Sequence, residues 1–185
     1  MRRLFFFTVA AMGLMLMAGC HDRKTAKVMD MNDSVGMEEE DDSTIYGVCG
    51  DGTSMHSLQL IADNGDTLDV FVDDEEPGVV QGGLLAGDRI ALIAYKASDG
   101  EMVARRVINL TSLLGKWTSI DKNFEIVEGG DIVNNVKAEA NPWTSWKIVN
   151  GKLLLNTDTF AIDNLGPDSL LLENHKGIYV FKRQR

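Results

Sequence analysis

From Thr44 onward the chain is a series of short runs that alternate apolar and polar residues, each ended by a turn signal. That pattern restricts it to an all-β fold. Successive side chains on a strand point to opposite faces, so alternation over four to eight residues marks a strand with one face buried. Leu58, Leu60 and Ala62 alternate with Gln59 and Ile61. Asp63-Asn64-Gly65-Asp66 follows, with Asn-Gly at the tight-turn position, and Leu68, Val70 and Val72 then alternate with Thr67, Asp69 and Phe71. Asp73-Asp74-Glu75-Glu76-Pro77-Gly78 breaks the run. Arg89 to Tyr95 is apolar on both faces, as an inner strand is, and Ser98-Asp99-Gly100 turns into a last run from Met102 to Leu110. With Thr44 to Cys49 these make five strands, and the spacing predicts no amphipathic helix.

A second unit begins at Gly115-Lys116-Trp117. Its strands read as 116–120, 124–127, 131–136, 145–149, 152–156, 160–164, 169–173 and 177–183. The turns are Glu128-Gly129-Gly130, Asn150-Gly151, Gly166-Pro167-Asp168 and Asn174-His175-Lys176-Gly177. Short strands at even spacing predict a meander closing as an eight-stranded up-and-down barrel. Strands of about five residues at ~3.3 Å each make it only about 17 Å along the strands. Such an interior is plugged by side chains or holds one small ligand. Ile126, Ile132, Trp146, Ile148 and Leu154 are the expected fillers. Only Thr111, Ser112, Leu113 and Leu114 separate the two units, too short and too apolar for a flexible linker, so the units are expected to pack together.

Residues 45–110 resemble a small OB-like barrel, on five strands, a glycine-rich lead and Gly87-Asp88-Arg89-Ile90-Ala91-Leu92 entering a strand. OB barrels often bind nucleic acid through basic and aromatic strand faces. Those groups are scarce here, and that function is not carried over. Gly115-Lys116-Trp117 matches the Gly-x-Trp signature of lipocalin-like families, and residues 113–185 are similar to small lipocalin-like lipoproteins of Gram-negative bacteria. The resemblance implies a structural barrel closure by Gly115, Trp117 and Arg183. In it the Trp117 ring closes one barrel end beneath a basic side chain of the last strand, and Arg183 is the candidate for that side chain. The unit is less than half the usual lipocalin length and lacks that family's later motifs and disulfide.

The start of the chain carries an address. Arg2 and Arg3 precede an apolar run from Leu4 to Met17, and Leu16-Met17-Ala18-Gly19-Cys20 ends it. This is a secretory signal whose end resembles the bacterial lipobox, which makes Cys20 the lipidation site and the mature N-terminus. The same residues fit a plain secretory signal. A retained helix fits less well, since spanning takes about 20 apolar residues. The resulting domains are a signal peptide at 1–19, a disordered acidic tether at 20–43, an OB-like barrel domain at 44–111 and a lipocalin-like barrel domain at 112–185. The expected location is the cell envelope, lipid-anchored at the outer membrane and facing the periplasm. Asp33-Ser34-Val35 and Asp42-Ser43-Thr44 in the tether are similar to a short acceptor used by some bacterial O-glycosylation systems.

The chain has 18 basic and 28 acidic residues; losing residues 1–19 removes Arg2 and Arg3 and no acid, leaving net −12. That charge argues against a nucleic-acid partner, whose phosphates demand a basic surface. After lipidation Cys49 is the one remaining thiol, read as a small buried hydrophobe or as a reactive group. Cys49, Met55 and His56 as a Cu(I) set and Asp73 to Glu76 as a Ca²⁺ cluster fit no known spacing, so no metal or cofactor is expected. No catalytic motif is present, and the protein is not expected to be an enzyme. Trp143 and Trp146 lie three apart, on opposite faces if both sit on one strand. They are the candidate ligand-binding residues, one for the core and one for a barrel mouth or partner surface. The function expected is a membrane-tethered lipoprotein binding a small apolar or amphipathic ligand in its C-terminal barrel. The alternative is a non-catalytic accessory of an envelope complex with a protein partner.

Overall fold

The computed structural model of the chain describes residues 41–73, 75–136 and 140–184. The signal at 1–19, the lipidation site Cys20 and the tether before residue 41 lie outside the described residues.

The first barrel contains β1 (Ile45–Cys49), β2 (Ser57–Ala62), β3 (Thr67–Phe71), β4 (Val80–Gln81), β5 (Arg89–Lys96) and β6 (Met102–Asn109). β1, β2 and β3 form an antiparallel meander, β5 joins the other edge of β1, and β6 joins β5. Phe71 of β3 meets Val103 of β6 in parallel and closes a five-stranded barrel. Alternation sends Leu58, Leu60, Val70, Val72, Ile90 and Leu92 inward, where they form one core cluster with Cys49 and Val107. The Asn64-Gly65 hairpin is wider than a two-residue turn. Gly65 N–H donates to Ala62 O and Ala62 N–H to Asp66 O, and only Gly65 of the loop has positive φ, +91°. The reason is local: Asn64 Oδ1 accepts from the Asp66 N–H at 3.0 Å and holds the longer loop.

β6 ends one residue earlier than expected. The Asn109 side chain accepts from Ser112 N–H at 2.8 Å, which caps a one-turn helix, α1 (Leu110–Leu113), where the sequence predicts a strand end at Leu110 and a short bridge between the units. The second barrel follows, with β7 (Gly115–Thr118), β8 (Asn123–Ile126), β9 (Ile132–Asn134), β10 (Trp146–Val149), β11 (Lys152–Leu155), β12 (Asp158–Leu165), β13 (Ser169–Asn174) and β14 (Gly177–Gln184). All pair antiparallel in order β10-β11-β12-β13-β14-β7-β8-β9. β14 returns to β7, with Arg183 opposite Trp117. Among the described residues the seam between β9 and β10 is joined by the single bridge Asp131–Ser145, which leaves the eight-stranded barrel nearly closed.

Asn150 and Gly151 both have positive φ, +48° and +72°, and make the tight β10–β11 turn that sets Ile148 opposite Leu153. That register corrects one expected filler. Leu153 and Leu155 point inward, and Leu154 faces outward. Ile126, Ile132 and Ile148 are buried in the core as the alternation predicts.

Both barrels belong to one compact unit. Ala91, Ile108, Leu110 and Leu113 share a core cluster with the second barrel. Gln81, 4% exposed, accepts from Leu165 N–H at 2.8 Å. Arg106 donates to Gly78 O at 2.6 Å and to Ile162 O at 3.0 Å. At the other side Asn150 accepts from the Ser43 N–H and hydroxyl, both at 2.9 Å, and its own N–H donates to Asp42 and to Thr44 Oγ1. Buried polar groups at this junction are therefore paired, as desolvation demands.

Candidate functional site

The interior of the second barrel is filled by rings. Phe124 and Trp143 meet edge to face at 5.1 Å between centroids, Phe124 and Phe181 at 5.2 Å, and Trp143 and Phe160 at 5.7 Å. Trp143 is not on a strand with Trp146. The Asn156 side chain accepts from the N–H groups of Thr144 and Ser145, so β10 starts only at Trp146 and the residues before it are irregular. Trp143 thereby turns into the core at 7% exposure, with the Lys122 ammonium 4.1 Å from its ring. It is packing, not an open ligand wall.

Gly115, Trp117 and Arg183 form one constellation at the barrel end. Trp117 is fully buried and its Nε1–H donates to Leu113 O at 2.9 Å. The Arg183 guanidinium lies 4.1 Å over the indole, a cation–π distance. It also donates to Pro167 O, Leu114 O and Ser112 O. Burial pulls the Arg183 pKa down, and the nearby Asp168 charge opposes this. The glycine of the Gly-x-Trp pair has a physical reason. Gly115 has φ +121°, and a Cβ there would lie 2.7 Å from Arg183 Nη1. A side chain at 115 would push the Nη1 end of Arg183 from its present place.

Trp146, also expected as a barrel filler, is only partly buried against the core. It lines a cleft of about 560 Å³ where the first barrel meets the seam of the second. Tyr46, Leu110, Leu114, Trp146 and Ile148 supply its apolar faces, and Arg89, Glu128 and Lys147 its charges. The polar atoms of the two rings are already used. Tyr46 OH donates to Ile148 O at 2.7 Å and Trp146 Nε1–H to Val127 O at 2.8 Å. Both rings therefore present apolar surface to the cleft. Burial raises the Tyr46 pKa, with Asp42 adding in the same direction and Arg89 opposing. Arg89 forms a two-pronged ion pair with Asp63, whose hydrogen bonds hold the Asp63 carboxyl below its ordinary value.

The structure does not bring together the residues considered for a metal. Cys49 is 1% exposed with its sulfur 3.3 Å from Thr53 Oγ1, whereas Met55 is 75% exposed. Among the described residues no three of His, Cys, Asp and Glu cluster as ligands. No helix among them is long and apolar enough to cross a membrane. Comparison with family models, with curated proteins and with solved structures returned no match.

Proposed function

We propose that this is a lipid-anchored envelope protein that holds a small amphipathic molecule in the cleft between its barrels. One observation carries the reading: an apolar cleft of about 560 Å³ with charges at its edge, built by residues of both barrels and α1. Its size falls within the ~300–1,000 Å³ of small-molecule sites, and its composition is theirs, an apolar body with a few polar groups. A ligand in the barrel interior would have to displace the ring cluster around Trp143; a ligand at Trp146 displaces nothing. The test is titration of the full chain with the fluorescent apolar probe N-phenylnaphthylamine. Saturable binding that weakens about tenfold in Trp146→Ala and in Leu114→Asp is the expected result. Binding that is absent, or that is as tight in both variants as in the parent protein, overturns it. The anchor has its own test: Cys20→Ser moves the protein from the membrane fraction to the soluble one, and continued sedimentation with membranes counts against the lipid.

The alternative, a protein-interaction accessory, is favoured by a different observation. Ile120, Ile178 and Val180 are 101%, 64% and 56% exposed, with Ile120 and Val180 lining the same surface depression. A double Ile120→Asp, Val180→Asp variant that still co-purifies with the same envelope proteins as the parent would remove this reading.

A further inference from the structure

The pairing of buried polar groups between the barrels has an exception, and it lies on the apolar cleft. Along an antiparallel strand the backbone groups of successive residues turn to opposite neighbours. In β10 this alternation is fixed from both sides. Ser145 O accepts from the Asn156 N–H at 3.0 Å, so the backbone of Ser145 faces the β11 side. Lys147 and Val149 follow at two-residue steps and face β11 too, opposite Leu154 and Lys152. Trp146 and Ile148 therefore turn their backbone groups away from β11, toward the seam. The Trp146 N–H meets Gly130 O there at 2.7 Å. In the same register Ile148 would next meet Glu128. The chain has already turned back by then, because Val127 N–H closes the β8–β9 turn on Asp131 O and Gly129 and Gly130 both take positive φ.

Ile148 is 2% exposed and lines the cleft. Its carbonyl accepts from the Tyr46 hydroxyl. Its N–H has no acceptor within hydrogen-bond distance among the described residues. Burying a donor unpaired is costly, and an acceptor brought from outside the chain removes that cost. The other polar atoms of the apolar wall are in use: the Tyr46 hydroxyl and Trp146 Nε1–H both donate to carbonyls, and the Arg89 guanidinium is held by Asp63. The wall thus asks for an oxygen acceptor on an otherwise apolar body. A carboxylate or phosphate does not suit it. A lone neutral N–H does not offset the desolvation of a full charge, and Glu128 lines the same cleft. A neutral carbonyl does suit it. Thr111, Glu128 and Lys147 line the cleft and are exposed, so a hydroxylated head there stays in contact with water.

Resting on the reading of this cleft as a small-molecule site, we infer that its occupant is a neutral acyl compound. The ester or amide carbonyl accepts from the Ile148 N–H, and the hydrocarbon lies against Tyr46, Leu110, Leu114 and Trp146. The test uses the full chain, labelled with ¹⁵N, and two matched probes below their micelle thresholds. They are 1-octanoylglycerol and its ether analogue 1-O-octylglycerol, which lacks the carbonyl. Each is titrated against bound N-phenylnaphthylamine. The ester is expected to displace the dye about tenfold more tightly than the ether. It should also move the Ile148 amide proton downfield and slow its exchange, while the amides of Lys147 and Val149, already bonded to β11, move little. Equal displacement by the two probes, or displacement by the ester with the Ile148 amide unmoved, overturns the acyl assignment and leaves the small-molecule cleft standing. If neither the dye nor either glyceride binds, the cleft reading falls and the acyl assignment with it.

Discussion

Gly115→Ala is the sharpest test of how the second barrel is closed. The new methyl meets two separate costs. At φ +121° an alanine is strained, by about 1–3 kcal/mol. Its Cβ, 2.7 Å from Arg183 Nη1, also drives the guanidinium off the Trp117 ring. That loses a cation–π contact of about 0.5–2 kcal/mol and weakens the bond to Leu114 O, worth about 1 kcal/mol. The expected total is about 3–5 kcal/mol, a large share of the 5–15 kcal/mol that holds a domain together. The diagnostic step is a double-mutant cycle with Arg183→Ala. In that background only the backbone strain remains, so Gly115→Ala should cost about 2 kcal/mol less. Urea unfolding followed by tryptophan fluorescence reads it, since all three tryptophans lie in the second barrel. Additivity of the two substitutions to within about 0.5 kcal/mol would show that the methyl does not act through Arg183, and the reasoning would be wrong.

Three further outcomes are expected. Asn150→Gly keeps the turn conformation and deletes the acceptor for Ser43, so hydrogen exchange at the Ser43 amide should accelerate while that at Leu153 does not; equal rates in both proteins would refute the clasp. Burial works against the Asp42 carboxylate, but hydrogen bonds from Thr44 and Asn150 outweigh it and lower its pKa. A lowered folded pKa gives stability that is present above the unfolded value of about 3.9 and lost as pH falls through the folded one. Asp42→Asn should therefore flatten the stability curve below about pH 4, and an unchanged acid limb would contradict this. Tyr46→Phe leaves Ile148 O without its donor, at a cost of about 1–3 kcal/mol in urea melts. It should also remove a phenol whose ionisation burial has shifted to higher pH, read in an alkaline absorbance titration.

Much of the fold is written in local pattern. The eight strands of the second barrel are readable because Asn150-Gly151 and the Gly and Asn residues between the other runs mark where each one ends. β4 is not readable, since two residues have no period and, among the described residues, Val80–Gln81 pairs as a strand only with β6. α1 is hidden because its cap, Asn109, also reads as the end of a strand. The Trp117–Arg183 contact follows from alternation along β14 once Phe181 is placed inside. The cleft is a different matter. Tyr46, Leu114 and Trp146 come from three distant stretches and meet only when the barrels dock. Ile148 reads as an ordinary core residue, and only the end of the seam at Gly130 leaves its N–H unpaired. That ending lies in how two strands meet, which neither strand's own sequence displays.

The return of β14 to β7 also orders events in time. Hairpins from β10 to β14 form between near neighbours, but the Arg183 to Ser112 contact joins residues 71 positions apart. Closing a loop of that length costs on the order of 4 kcal/mol in chain entropy before any contact returns it. Closure therefore belongs to the far side of the folding barrier, after the meander has formed. Weakening the Arg183 stack should then speed unfolding and leave the folding rate nearly untouched, so the contact governs how long the closed barrel lasts and not how fast it is made.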